Sequence, residues 1–464
     1  MTISLWDSAL FRDMVSTAQM RAVFCDESRI RAWLEVLSAQ AEIQGMAGII
    51  PSESAAEIVA AATCLQLDPE ETVKEIAEEA ARVGRPVLPL VRRLSAACPG
   101  QAGEWVHFHG TTQDILDTGA ALQQARAMAL VQAELIGVTA ALCDLAELHA
   151  TTAMAGRTNG RHARPVTFGF KVAGWAVELW RASERLSEIS ERALCGQFGG
   201  AVGSFAPPAP GGPRERSALM MALGLSEPGI AWQAARDRPA ELVSGLALLC
   251  AALGRLGSDI GRMSAEEMGE LDIVDPDGAS GLSSAMPHKR NPRDLEILGA
   301  VATMSAGLPS IMLNAMSRQV DERHGAGWIP EWEVVPQAFL LASGGLAAAQ
   351  RVLSHLVVNA ERMRQNLERG HLGVEADRLM TSLAPVIGER AAHDLVQAAC
   401  ADEAVRRSPK LLLTAVQACA ADRGIELGDV PNPEAGPPQT GLAEQECLNV
   451  LRCLRQTMMK ADHV

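Results

Sequence analysis

The segment of residues 280–292, termed the serine loop, combines a possible base, two cations and a carboxamide within a few residues. It contains two hydroxyls, Ser283 and Ser284, then two adjacent cations beginning at Lys289, and the carboxamide of Asn291. Glycine and proline on either side of these residues predict a mobile loop rather than a helix. Such a loop can close over a small anionic substrate, exclude water and bring a hydroxyl next to a carbon-bound proton.

A second group of polar residues lies where a long helix is predicted to begin. His107 precedes Thr111, Thr112 and Gln113, and an alanine- and leucine-rich pattern without proline starts at Asp114. The first backbone N–H groups of a helix have no partner within the helix, so they attract carboxylates. A threonine at this position can equally serve only as the helix cap, and both interpretations stay open.

A third group lies in the segment 156–169, which interrupts two predicted helices. Its polar residues are Arg157, Thr158, Asn159 and His162. Arginine and threonine side chains can hold an anion, whereas a lone histidine is more often a structural residue. This segment is therefore a candidate for substrate binding.

A fourth candidate is Arg323, which lies between two predicted helices. Its guanidinium group can bind a carboxylate through two parallel hydrogen bonds. The neighbouring acids Asp321 and Glu322 could pair with it instead, since adjacent opposite charges often do so.

The rest of the chain predicts the helices that position these segments. Alanine and leucine dominate, which favours helices, and tyrosine is absent, so no phenol can act as an acid or base. No strand pattern is evident apart from short possibilities near Gly199. Apolar periodicity predicts shorter helices at 29–45 and 382–400, and long helices at 114–151, 168–195, 239–267, 294–317 and 333–368. These observations predict an all-α protein.

Charge and composition exclude several classes of function. The formal net charge is −15, whereas binding to nucleic acid requires a basic face. Ten cysteines without a C-x-x-C pair give no metal-site spacing and indicate reduced thiols in a cytoplasmic protein. We read neither a signal peptide nor an uninterrupted apolar run of about 18 residues, so we expect neither export nor a membrane span.

The serine loop resembles the signature loop of the aspartase/fumarase superfamily, G-S-S-x-x-M-P-x-K-x-N. Its longer form, S-S-A-M-P-H-K-R-N-P, is similar to that of adenylosuccinate lyases and bacterial 3-carboxy-cis,cis-muconate cycloisomerases. Five further segments resemble motifs of this branch, which includes nitrosuccinate lyases: residues 105–114, 156–169, 197–203, 232–238 and 319–332. The resemblance covers nearly the whole chain.

This resemblance implies the three-domain aspartase/fumarase-type fold. The expected parts are an N-terminal helical domain at 1–108, a central long-helix bundle at 109–368 and a C-terminal helical domain at 369–464. It also implies a homotetramer in which the four central bundles build the core and the active sites are shared between subunits.

The resemblance further implies roles for individual residues. Ser283 matches the base that removes the proton next to a carboxylate, and His107 matches the family histidine. No metal ion and no organic cofactor is implied. The positions implied to bind a small dicarboxylate substrate are Thr111, Thr112, Gln113, Arg157, Thr158, His162, Ser284, Met286, Lys289, Asn291 and Arg323.

Two residues depart from the family pattern in ways that bear on catalysis. Leu282 replaces the glycine that normally precedes the serine pair, although Gly281 could compensate. Asn159 replaces the catalytic histidine that, in the lyases, gives a proton to the leaving group. A carboxamide does not titrate near neutral pH, so the leaving group must depart as a stabilised anion unless His162 or His109 supplies the proton.

We therefore predict a lyase that eliminates a weakly basic group β to a carboxylate and releases fumarate or a related unsaturated acid. Cleavage of a C–N bond, as from nitrosuccinate to fumarate and nitrite, is favoured because Asn159 replaces the cycloisomerase tryptophan and a lyase-like Gly160-x-His162 follows. The alternatives are a 3-carboxy-cis,cis-muconate cycloisomerase, which acts on a C–O bond, and a catalytically inactive structural homologue.

Overall fold

The computed structural model describes residues 4–206, 210–275, 278, 281–369, 371–427 and 439–461. Helices make up 69% of the structure, which confirms the all-α expectation. The proline-rich stretch 429–438, which we predict to connect the last helices, lies outside the described residues.

Four long helices form where alanine- and leucine-rich patterns predict them. Three of them run over Thr112–Leu148, Phe168–Ala193 and Asp237–Met263. The fourth, Glu331–Ser354, ends earlier than predicted. The predicted helix 294–317 is divided at Gly307, which is the N-cap of a second helix. A proline in the first turn of this second helix has no backbone N–H, so it cannot donate the hydrogen bond that would continue the preceding helix.

The other helices are shorter than these four. They span Arg12–Val15, Ala18–Phe24, Asp26–Met46, Ser52–Cys64, Lys74–Val83, Val87–Ala97, Gly212–Leu223, Arg293–Ser305, Leu308–Ser317, Gly325–Trp328, Ala360–Arg369, His371–Ile387, Glu389–Ala401, Glu403–Arg407, Leu412–Asp422 and Ala443–Ala461, with single turns of other helix types at Pro69–Val73, Ala102–Trp105 and Pro409–Leu411.

An antiparallel hairpin, Ala153–Thr158 with Arg161–Thr167, replaces the interruption that the sequence predicts between two long helices. Thr158 pairs with Arg161, so Asn159 and Gly160 form a two-residue turn with positive φ angles of 50° and 77°. Asn-Gly is the preferred sequence for such a turn. A second, short pair joins Leu271–Ile273 to Leu356–Val358, whereas the stretch near Gly199 is a loop rather than a strand.

The chain divides into two compact units. The first comprises residues 1–137, 179–257 and 293–351, and the second comprises 138–178, 258–292 and 352–464. Each has its own apolar core: Trp33, Leu37, Leu90, Ile115 and Leu122 in the first, and Leu379, Leu383, Leu395, Leu412 and Val416 in the second. The three-domain boundaries given above stay a prediction.

In the described part of the chain, three helical stretches are long and apolar enough to cross a membrane by length and composition alone: Thr112–Leu148, Asp237–Met263 and Arg293–Ser317. In the most apolar window of the last stretch only 28% of the residues are buried within the chain. Ile311, Leu313 and Met316 are among its exposed side chains. A helix with so many exposed apolar side chains is often covered by another molecule.

Candidate active site

The serine loop is closed at its base by Asn291 and Gly281. The Asn291 backbone N–H donates to the Gly281 carbonyl oxygen at 2.8 Å, and its side-chain Nδ2 donates to the same oxygen at 3.2 Å. Gly281 has a positive φ of 70°, and a Cβ there would lie 2.2 Å from the Asn291 carbonyl oxygen. The loop therefore requires glycine at 281.

Leu282, the departure from the family pattern, fits this loop without backbone strain. It is not among the residues with positive φ, and it pairs with Arg290 in an isolated antiparallel bridge. Its side chain is exposed. The positive φ is thus adopted by Gly281, one residue earlier, and the loop accommodates a side chain at position 282.

Ser283 is half-buried, and its hydroxyl Oγ accepts a hydrogen bond from the Met286 backbone N–H at 3.0 Å. A donor aimed at this oxygen stabilises the alkoxide over the hydroxyl. Ser284 and Lys289 are exposed. Within the described part of the chain, no ion pair or side-chain hydrogen bond engages the Lys289 ammonium group, so its charge is available to an anion.

Replacing Gly281 by alanine tests whether this closed loop is needed. The added methyl group collides with the Asn291 backbone, and a non-glycine residue is strained at this φ. We expect turnover to fall by at least about 100-fold while the thermal unfolding temperature changes little, because the loop is largely exposed. Leu282→Ala is the matched control, and an equal loss in both variants would contradict the assignment of the strained position to 281.

Arg157, on the hairpin, is held in a buried ion pair. Its guanidinium Nη1 donates to the Glu270 carboxylate at 2.9 Å, and Nη2 donates to the other carboxylate oxygen. Asn366 also donates to Glu270 at 3.0 Å. The Arg157 side chain is 13% exposed and that of Glu270 is completely buried, so the charge of Arg157 is largely neutralised where it stands.

The Asn159 turn and its neighbours present polar groups at the surface of the second unit. Thr158 and Asn159 are exposed, and His162 is half-buried. Burial, and secondarily the charge of Arg157, lowers the pKa of His162. Its buried Nδ1 has no hydrogen-bond partner among the described residues. At neutral pH this imidazole is uncharged and can donate or accept a hydrogen bond.

The start of the helix Thr112–Leu148 brings Thr111 and Arg323 together. Arg323 Nη1 donates to the Thr111 hydroxyl at 3.2 Å. Among the described residues Arg323 forms no ion pair, so the proposed pairing with Asp321 or Glu322 is absent there. The guanidinium is exposed beside a helix N-terminus, an arrangement suited to a carboxylate.

Asp114 supports this helix start, and sequence analysis did not identify it. Its carboxylate accepts from the backbone N–H groups of Thr111 at 3.1 Å and Gly200 at 3.0 Å. Burial raises its pKa to about 7 despite these bonds. An acid three residues after a threonine is the capping-box signal that could have revealed it.

Gln113 and Thr112 differ in exposure. Gln113 is completely buried, and its amide donates to Asp117 at 3.1 Å and to the Gln233 carbonyl oxygen at 2.9 Å. Thr112 is half-buried. The substrate-binding roles of both remain predictions, with the Gln113 amide nitrogen already engaged in the interior.

A buried ionic network lies one helical turn beyond Gln113. Arg236 donates through Nη1 to Asp117 at 2.8 Å and through Nε to Glu331 at 2.8 Å. Trp328 Nε1 donates to Asp117 at 2.9 Å. All three charged side chains are at most 7% exposed, and burial raises the pKa of Glu331 to about 7. This network fixes the helix that carries Thr111 at its start.

His107 lies in the loop before this helix with a positive φ of 64°. Its ring packs so closely on Gly110 that a Cβ there would lie 2.8 Å from ring atoms Cε1 and Nδ1. Burial lowers the pKa of His107 to about 4, so the ring is neutral at pH 7. Its buried Nδ1 has no partner among the described residues.

The low pKa of His107 makes folding depend on pH. A folded pKa of about 4 lies below the usual value of 6.5, so the unfolded chain binds the extra proton and stability falls as pH drops from about 6.5 towards 4. We expect wild type to lose about 2 kcal/mol more than His107→Gln between pH 7 and 4.5. Denaturant unfolding at several pH values measures this difference, and parallel curves would contradict it.

The two compact units thus carry two sets of candidate residues. The first unit contains His107, Thr111, Thr112, Gln113 and Arg323, of which Thr111 and Arg323 are in direct contact. The second unit contains the hairpin residues Arg157, Thr158, Asn159 and His162 and the serine-loop residues Ser283, Ser284, Met286, Lys289 and Asn291.

Comparison with known proteins identifies relatives along most of the chain. A family model described as lyase matches residues 12–307. A 3-carboxy-cis,cis-muconate cycloisomerase of Pseudomonas aeruginosa is 39% identical over 84% of this chain and 84% of its own length. An N-acetyl-S-(2-succino)cysteine lyase of Enterococcus italicus is 37% identical over 84% of both chains.

Solved structures share the fold. A fumarate lyase from Mesorhizobium sp. BNC1 has 36% sequence identity and a TM-score of 0.82 over 94% of this chain and 98% of its own. The 3-carboxy-cis,cis-muconate lactonizing enzyme from Pseudomonas putida has 33% identity and a TM-score of 0.84 over 97% of this chain and 100% of its own.

Proposed function

This chain belongs to the lyase family of the aspartase/fumarase superfamily, and on that premise we propose that it eliminates an anionic leaving group from a 2-substituted succinate. The products are fumarate, or a related unsaturated acid, and the free anion. The observation that carries the proposal is the Ser283 hydroxyl, which accepts a hydrogen bond from the Met286 N–H. The same loop bears Lys289, which forms no ion pair with any residue that the structure describes.

The reaction begins with proton abstraction by Ser283. Its alkoxide takes the proton from the carbon next to a carboxylate, and negative charge collects on that carboxylate as an aci-carboxylate. Lys289 and Asn291 hold this charge, as preorganised donors do for developing anions. Thr111 and Arg323 bind the other carboxylate at the helix start. The C–X bond then breaks, its electron pair leaves with X, and a C=C bond forms.

The class of leaving group that we propose is based on the Asn159 position. A carboxamide cannot donate a proton there, and the turn that holds it requires positive φ, which Asn tolerates well. Leaving groups of low basicity need no proton. Nitrite, from a C–N bond, is our first candidate, and a thiolate is added by the relatives named for succinocysteine.

A cycloisomerase is the second candidate function. It is favoured by a relative of that name with 39% identity and by the lactonizing enzyme whose fold this chain shares. Opening of a lactone expels a carboxylate, which is also a weakly basic leaving group. The catalytically inactive alternative predicts that no dicarboxylate raises the thermal unfolding temperature.

The test is to incubate the protein with nitrosuccinate, N-acetyl-S-(2-succino)cysteine, malate and the carboxymuconate lactone. Fumarate is followed by its ultraviolet absorbance, and nitrite, thiol or loss of lactone by separate assays. We expect turnover of at least one substrate with an acidic leaving group, and about 100-fold or more slower release of fumarate from malate, whose hydroxyl group must be protonated to leave. Equal rates with malate would refute anionic departure, and turnover of the lactone alone would select the cycloisomerase.

We also propose that the protein is a cytoplasmic homotetramer with active sites shared between subunits. The exposed apolar side chains of the stretch Arg293–Ser317 support this, because other subunits would cover them. Assembly would also let candidate residues that lie far apart in sequence serve one site. A small dicarboxylate, no metal and no organic cofactor complete the proposal.

A further inference from the structure

Arg262 lies beside the Asn159–Gly160 turn. A Cβ on Gly160 would lie 3.1 Å from its Nη2, so the guanidinium is in contact distance of the turn. Among the described residues, no hydrogen bond or ion pair engages the Arg262 side chain, which is exposed. One cavity is lined by both Asn159 and Arg262.

The other charges of this cavity are compensated. Lys171 pairs with Asp259 at 3.3 Å, and Asp259 also accepts from the Trp175 indole at 2.9 Å. Arg157 pairs with the buried Glu270. Arg262 therefore supplies the surplus positive charge of this cavity among the described residues.

On its other side, Arg262 lines a second cavity together with Arg157, His162 and Arg369. One carboxylate, that of Glu267, also faces this space. Arg157 is neutralised by Glu270 and His162 is uncharged, but the two remaining cations, Arg262 and Arg369, still outnumber this carboxylate. The region between the hairpin and the end of the helix Asp237–Met263 is therefore electropositive.

We propose that Arg262 binds the leaving group of the substrate and stabilises it as an anion. The inference rests on the proposed function, in which Asn159 occupies the position of the proton-donating histidine. A guanidinium group keeps its proton at neutral pH, so Arg262 supplies charge where the lyases supply a proton. A substrate with a third anionic or strongly electronegative group at carbon 2 is thus selected.

The electron balance of this step needs no further reactant. The proton on the carbon beside the carboxylate moves to the Ser283 oxygen, and the C–H electron pair becomes the second bond of the alkene. The C–X pair departs with X, which pairs with the guanidinium through charge-assisted hydrogen bonds. The bound anion then leaves unprotonated.

Two unreactive probes separate this role from general dicarboxylate binding. Propane-1,2,3-tricarboxylate and 2-ethylsuccinate differ at one position, where a carboxylate replaces a methyl group. By calorimetric titration we expect wild type to bind the tricarboxylate about 10- to 100-fold more tightly, as one charged hydrogen-bonded contact provides. In Arg262→Gln that preference should fall to within about threefold, with binding of 2-ethylsuccinate unchanged.

Arg161→Gln is the matched control, because Arg161 is an exposed hairpin arginine that lines neither cavity. It should retain the preference for the tricarboxylate. An unchanged preference in Arg262→Gln, an equal loss in Arg161→Gln, or no preference in wild type would overturn the role of Arg262. If wild type binds neither probe, the proposed function itself is contradicted, because that function requires binding of a succinate-type dicarboxylate.

Discussion

Replacing Ser283 by alanine is expected to lower kcat by about 10²- to 10⁴-fold, the range attributed to a positioned proton-transfer group. The hydroxyl is the proposed base. The Met286 N–H donates a hydrogen bond to it, and this bond stabilises the alkoxide form. Substrate binding should change little, because carboxylates are held by other groups. Steady-state rates of purified wild type and variant, on a substrate identified by the test above, give kcat and KM. Thermal unfolding shows whether the variant is folded.

Ser52→Ala is the matched control, because Ser52 is an exposed serine at the start of a helix in the first unit. Its kcat should equal that of wild type. Ser283→Cys adds a second comparison, since a thiolate at this position can still accept a proton and should recover part of the rate. Near-normal turnover by Ser283→Ala would remove the proposed base and with it the assignment of the serine loop.

Helical architecture was predictable here because long segments rich in alanine and leucine have few competing structures. The misses have local causes. The hairpin around Asn159 has no clean alternation of buried and exposed residues, although its Asn-Gly dipeptide was a usable signal. The helix 294–317 is divided at Gly307 because a proline follows it. A single proline changes the apolar periodicity of such a segment very little, so the periodicity alone does not reveal the division.

The candidate site was predictable only as far as its motif residues. Short-range features such as the serine loop can be read from adjacent residues, and Gly281 stood next to Leu282 as one way in which the missing glycine could be compensated. Ion pairs such as Arg157 with Glu270, separated by 113 residues, depend on tertiary structure that no local pattern reports. Conversely, Arg323 lacks the pairing with its neighbours that sequence proximity made plausible.

Arg236 illustrates how a motif match and a role in the structure can differ. The sequence around it resembles a family motif, yet its guanidinium is 3% exposed and fully engaged by Asp117 and Glu331. It also stacks over the Trp232 ring at 4.6 Å. We infer that it acts on the site through the helix Thr112–Leu148 rather than by touching substrate.

Arg236→Met should therefore destabilise the fold by about 3–5 kcal/mol, because it leaves two buried carboxylates without their cation. Arg192→Met is the control: Arg192 pairs with Glu241, but the side chains are 54% and 38% exposed, so its loss should cost less than about 1 kcal/mol. Denaturant unfolding compares the two variants. Equal losses would contradict a special role for the buried network.

The pH dependence of the stability lost in Arg236→Met distinguishes two causes, a buried carboxylate left without its cation and a loss of side-chain packing. Burial already raises the pKa of Glu331 to about 7 with Arg236 present, and removing the cation raises it further. A carboxyl group with a raised folded pKa binds its proton more tightly in the folded chain, so the stability of the variant should fall as pH rises from 5 to 8. Adding Glu331→Gln should recover part of the loss at pH 8 and little at pH 5, whereas a packing defect would be the same at both.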